Sequence, residues 1–249
     1  MTRAAFAACL LTLLSACAAK PPLRQLLPPG APVSVELAGT PFFPQEDYEC
    51  GPAALATVLA ATGVEVTPDD LVPQVYLPGR EGSLQPELLG ATRRHGRLAY
   101  TLAPDPAAFL AELVAGRPVL VLQNLRTPGF PVWHYAVLVG YDAAVDGVLL
   151  RSGRDARVAL GWRRFAATLE RAGNWGVVVV EPGELPATVE PGPYLAAAAG
   201  LESAGRLQEA LAAYDAGLAR WPDEELLWLG RGNASNATGR LPNALAAYR

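Results

Sequence analysis

The sequence predicts an α+β domain followed by an all-α tail. Three observations predict it. Helix-type apolar patterns crowd into residues 50–115, strand-type patterns crowd into 119–181, and one ten-residue segment recurs near the end at an offset of 34 residues. The chain has 249 residues, 51% of them hydrophobic and 18% charged, with a formal net charge of −4. That length holds one large domain or two small ones. The composition excludes a disordered acidic tail and a collagen-like repeat, and the charge argues against a nucleic-acid binder.

The first segment reads as an address. Arg3 supplies a short positive region and Ala4 to Leu14 an apolar run, too short for a mature membrane span of about 20 residues. Leu14-Ser15-Ala16-Cys17 resembles a bacterial lipobox. The resemblance implies a signal peptide over 1–16, lipidation at Cys17 and anchoring in the cell envelope, at the outer membrane facing the periplasm. Residues 17–35, rich in proline from Pro21 to Pro32, are expected to form an extended tether. With Cys9 removed and Cys17 acylated, the mature chain keeps one thiol, Cys50.

The body spans 36–186. Residues 50–62 are rich in Ala and Leu, with Pro52 in the first turn and Gly63 as a stop, which predicts a helix. Thr67-Pro68-Asp69-Asp70 starts a second. Residues 84–95 are amphipathic and stop at Gly96, and 106–115 close at Gly116. Val119 to Asn124 is a buried-type strand. Residues 133–141 and 148–152 flank a turn and predict a hairpin. A helix over 162–172 and a strand over 176–181 complete the domain, so helices come first and an antiparallel sheet follows. Asp142, at the hairpin turn, is expected to cap it. His95 is expected to be a helix C-terminal cation.

Residues 182–193 read as a linker, and the tail covers 187–249. Gly205 to Tyr214 recurs as Gly239 to Tyr248, with eight of ten positions identical. The offset is the tetratricopeptide period, so the tail predicts one such repeat and an incomplete second, a surface for protein partners. Three or more repeats normally build a stable core, so these helices must pack on the first domain or continue into further repeats.

The chemistry converges on two residues. A thiol is a useful nucleophile as its thiolate, and Cys50 opens a predicted helix whose N–H groups and dipole favour the anion. His134 opens a strand that can hold an imidazole rigidly. Gln45, just upstream, can donate to a developing oxyanion together with the Cys50 N–H. With two histidines in the chain, no metal site and no cofactor are expected.

Pro44-Gln45, Cys50-Gly51-Pro52-Ala53-Ala54-Leu55-Ala56 and His134-Tyr135-Ala136-Val137-Leu138-Val139-Gly140-Tyr141-Asp142 together resemble the papain-like cysteine peptidases that process bacteriocin leaders at double glycines, in a stand-alone lipoprotein branch. The resemblance covers roughly 40–182. It implies a papain-like domain, with Cys50 as nucleophile, His134 as general base and Gln45 as oxyanion donor. The family places an Asp-Pro pair on the strand after the His to orient the imidazole, and here Ser152-Gly153 stand in those positions. Ser152 and Asp155 are therefore the candidates for the third member. Two functions follow from this reading. One is a lipid-anchored cysteine peptidase, or related amidase, acting on a peptide or protein. The other is a non-catalytic peptide-binding lipoprotein that scaffolds an envelope complex.

Overall fold

Strand residues in this chain alternate between two apolar layers, and that alternation organises the molecule. The computed structural model describes residues 20–45 and 49–249. The expected signal segment and Cys17 lie outside the described residues. Seven strands form one sheet: β1 (Ser34–Glu36), β2 (Leu98–Thr101), β3 (Val119–Asn124), β4 (Trp133–Asp142), β5 (Gly147–Ser152), β6 (Asp155–Gly161) and β7 (Gly176–Val180). Their order is β2-β7-β3-β4-β5-β6, with β1 beside the end of β4, and every pairing is antiparallel.

Leu120, Leu122, Tyr135, Val137 and Val177 face one layer, built from α1 (Cys50–Ala60), α2 (Pro68–Val75) and α3 (Gln85–Arg94). Val119, Val121, Ala136, Leu138 and Val178 face the other, with α4 (Pro106–Val114) and α5 (Trp162–Glu170). A period of two sends neighbours to opposite faces, so the sheet is covered on both sides and its central strands read as continuous apolar runs. Thr67 caps α2 with a reciprocal capping box to Asp70. Asp142 Oδ1 accepts the Ala144 N–H at 2.9 Å, the turn role expected of it.

The order of elements differs from the sequence reading in three places. β1 and β2 precede β3 in the chain, so the sheet does not wait for the helices to end. β1 is three residues long, which leaves no readable alternation. β6 is mostly exposed, with Asp155, Arg157 and two alanines among its seven residues, and its pairing with β5 makes it a strand.

Residues 20–33 are also not a free tether. Leu23 is fully buried, its N–H donates to Asp146 Oδ1 at 2.9 Å, and the Trp162 indole donates to the Pro21 carbonyl at 3.0 Å. Lys20 pairs with Glu170 at 2.6 Å. Prolines limit the entropy lost on docking, and the leucines between them supply the apolar area that favours it.

The tail comprises α6 (Pro191–Ser203), α7 (Leu207–Arg220), α8 (Glu225–Ala237) and α9 (Leu241–Ala247). The sequence repeat is a repeat of structure. Gly205 and Gly239 both turn in the left-handed region, at φ +73° and +75°, and Arg206 and Arg240 open the next helices with nearly the same backbone angles. The linker is fastened to the domain. Buried Glu112 accepts the Ala187 and Thr188 N–H groups, and the Tyr100 hydroxyl accepts the Glu190 N–H at 3.0 Å. Tyr194, Ala197, Ala198 and Leu201 of α6 then join the core of Tyr100 and Phe109. The tail thus packs on the first domain, one of the two solutions open to a short repeat tail.

Candidate active site

The first turn of α1 carries Cys50 with no side-chain cap from Glu49, so its leading N–H groups are left for the thiol or a ligand. The β3–β4 hairpin places His134 opposite Gln123 and leaves Tyr135 beneath the sulfur. The backbone N–H groups of Tyr135, Gly51 and Cys50 itself all act on the Cys50 thiol. Because Tyr135 follows His134, this contact brings the His-bearing strand directly to the nucleophile.

Cys50, Gln45 and His134 line one cleft of about 820 Å³. Its first wall is the segment Arg80 to Gln85, including Ser83. The second is Val132 to Tyr135, with Gly153 and Arg154 at one end. Gly51 makes the narrow fit possible, since a Cβ there would collide with the Ser83 side chain. The Ser83 Oγ is buried without a hydrogen-bond partner among the described residues, a polar atom available to a bound chain.

Of the two candidates for the third member, Ser152 is the one in contact with His134. His134 Nε2 lies 2.8 Å from Ser152 Oγ. Asp155 sits at the exposed start of β6, across a tight turn from Ser152, and no described hydrogen bond links it to His134. Gly153, at φ +63°, makes that turn, and its carbonyl accepts the Gln45 N–H at 3.0 Å. Gln45 is thereby tied to the same hairpin that carries Ser152. Its side-chain amide rests 3.5 Å from the Tyr135 carbonyl, a weak bond easily exchanged for an oxyanion.

Arg151, next to Ser152, went unrecognised in the sequence. It is buried and donates to the Ala38, Thr40 and Ala156 carbonyls, which clamps the turn before Gln45 against β5 and β6. A lone arginine in a strand carries no signal of this role; two of its acceptors lie more than a hundred residues away.

The electrostatics correct the expected thiolate. Burial pushes the Cys50 thiol up, and this outweighs the three N–H groups that favour the anion. Burial also pushes His134 down. No carboxylate stands at Ser152 to oppose that. Both directions favour the uncharged forms, a thiol and a neutral imidazole. His95 departs from expectation in the same way: burial and the nearby charges of Arg94 and Arg206 lower its pKa, so it is a neutral imidazole touching Gln74, not a helix-end cation. Among the described residues no group of His, Cys, Asp and Glu could hold a metal ion.

Residues 38–152 match the profile of the Peptidase_C39 like family. The match contains Gln45, Cys50, His134 and Ser152 and ends at Ser152. The C39-like domain has solved counterparts. A candidate C39-like peptidase from Bacillus anthracis is 19% identical over 59% of this chain and 97% of its own, with a TM-score of 0.50. A double glycine motif protease from an AMS/PCAT transporter, in complex with its leader peptide, is 21% identical over 56% and 89%, at 0.42. The peptidase domain of Streptococcus ComA, a bi-functional ABC transporter of a quorum-sensing pathway, is 19% identical over 56% and 96%, at 0.44. No curated protein matches the chain.

Proposed function

We propose that the chain is a cysteine peptidase, or related amidase, that hydrolyses peptide bonds through a thioester on Cys50. The observation that carries this reading is the 2.8 Å contact between His134 Nε2 and Ser152 Oγ in a cleft shared with Cys50 and Gln45. Ser152 accepts the Nε2 proton, which fixes the tautomer and leaves Nδ1 unprotonated as the base. Nδ1 takes the thiol proton as sulfur attacks the substrate carbonyl. The Gln45 amide and the Cys50 N–H receive the oxyanion. The imidazolium then protonates the departing amine. Water, deprotonated by His134, releases the acyl group. A neutral resting pair suits this order, because charge separates only as the bond forms.

The substrate is an extended peptide laid between the Ser83 wall and the Trp133 wall. The tail supplies a tetratricopeptide-like surface for a protein partner. Cys17 bears lipid, and the protein sits at the periplasmic face of the outer membrane. The test is capture of an acyl group on Cys50 by mass spectrometry with a peptide library. Cys50→Ala should abolish turnover, and undiminished hydrolysis by that variant would overturn the reading. One observation favours a second reading: the described partner of the His134 Nε2 is a hydroxyl, Ser152 Oγ, and not a carboxylate. A peptide that binds tightly and is recovered intact would make the protein a peptide-binding module.

A further inference from the structure

The β3–β4 hairpin extends past its sheet into an exposed apolar tip. Phe130 is 80% exposed and Leu125 47%. Neither lines the cleft. The tip is ordered. The Leu125 N–H donates to the Val132 carbonyl at 2.9 Å, and the Phe130 N–H donates to the Thr127 carbonyl at 3.2 Å across Pro128-Gly129. Asn124 Oδ1 accepts the Arg126 and Val132 N–H groups. Little entropy is left to lose when this tip meets a partner.

The base of the tip is fixed to α5. The Arg171 guanidinium donates to the Asn124 carbonyl at 3.1 and 2.9 Å. The solvent face of α5 carries Arg163 and Arg164, both exposed, and Glu170, whose charge Lys20 neutralises. Arg126, in the tip itself, is also exposed. Lys20 is held against the last residue of the same helix. α5 thus runs from Arg163 and Arg164 in its first turn to the base of the aromatic tip, which Arg171 holds.

We infer that this helix and tip dock the protein on an anionic lipid surface, with the Phe130 tip entering the headgroup region and Arg163, Arg164 and Arg126 meeting lipid phosphates. Aromatic side chains favour that depth, and basic residues near an anionic leaflet each add to binding. The orientation sets the mouth of the cleft, through the adjoining Val132 and Trp133, beside the membrane. The placement of the chain start agrees with the proposed lipid on Cys17, and the surface is tested without that lipid.

The experiment uses the chain from Lys20, which holds every element described above, in sedimentation with vesicles of phosphatidylglycerol and phosphatidylcholine at low salt. It should bind the mixed vesicles, fail to bind phosphatidylcholine alone, and release as salt rises. Phe130→Asp and the pair Arg163→Glu, Arg164→Glu should each keep the thermal midpoint and lower the partition coefficient, by about fivefold for each arginine charge removed. Absence of binding to the mixed vesicles would overturn the inference. So would undiminished binding by both variants, or a Phe130→Asp effect confined to the KM of a peptide, which would assign the tip to the cleft instead. If the native chain bears no acyl group on Cys17 while the chain from Lys20 still binds, the lipid reading fails and the docking surface stands.

Discussion

Ser152 Oγ sits 2.8 Å from His134 Nε2, in the position where a carboxylate would complete a charged orienting pair. A hydroxyl fixes the ring but adds no field to stabilise imidazolium. Burial of Cys50 and of His134 likewise opposes the charged form of each.

Replacing that hydroxyl by an anion should change the balance. In Ser152→Asp the carboxylate raises the His134 pKa and favours the thiolate–imidazolium pair. The rate of iodoacetamide alkylation of Cys50 at pH 7 should rise about tenfold or more, and peptide turnover should rise with it. Ser152→Ala should lower turnover while leaving alkylation near its starting rate. An unchanged alkylation rate in the Asp variant would show that His134 does not reach the thiol.

The unmodified site has its own pH signature. Burial raises the Cys50 thiol, so alkylation should still be climbing above pH ~8.5, the range of an ordinary thiol. His134→Ala should leave that midpoint in place, because no ion pair is lost. Turnover needs His134 neutral, and burial lowers its pKa, so the acid limb of kcat/KM should fall below pH ~6.5. An acid limb above that value would mean that the imidazolium is stabilised after all.

Gln45 offers a separate test. Its amide donates at 3.5 Å to the Tyr135 carbonyl in the resting site and is free to turn to the oxyanion. Gln45→Ala should lower kcat by roughly 10²–10³ with little change in KM, the cost of one lost oxyanion donor. A matching rise in KM would assign Gln45 to substrate binding instead.

The tail should prove inseparable from the domain. Tyr194 of α6 is fully buried, and its hydroxyl donates to the Ala213 carbonyl at 2.9 Å. Tyr194→Ala should cost about 3–5 kcal/mol, read as a lower denaturant midpoint in a single transition. Two separate transitions in the native chain would show that the tail folds independently.

The local parts of this molecule were legible. The helix behind Cys50 announced itself by Pro52 and Gly63, the strand of His134 by its apolar run, and their order pointed to the family before any coordinates were considered. The repeat at 34 residues also appears in the backbone, where Gly205 and Gly239 make the same turn. Local signals work here because capping, turn chemistry and periodicity depend on neighbours in sequence.

Other parts answer only to distant partners. β6 is mostly exposed, and it is a strand because β5 offers it a ladder. The proline-rich start reads as a tether until Leu23 finds the core. A lone Arg151 means nothing until three carbonyls from two segments meet it. Cys50 and His134 were thus legible as a candidate pair in the sequence alone. The burial that opposes their charge, the contact of Ser152 rather than Asp155 with His134, and the docking of the tail were decided by tertiary structure. Ionisation depends on how completely water is excluded, and that depends on every layer packed around the cleft.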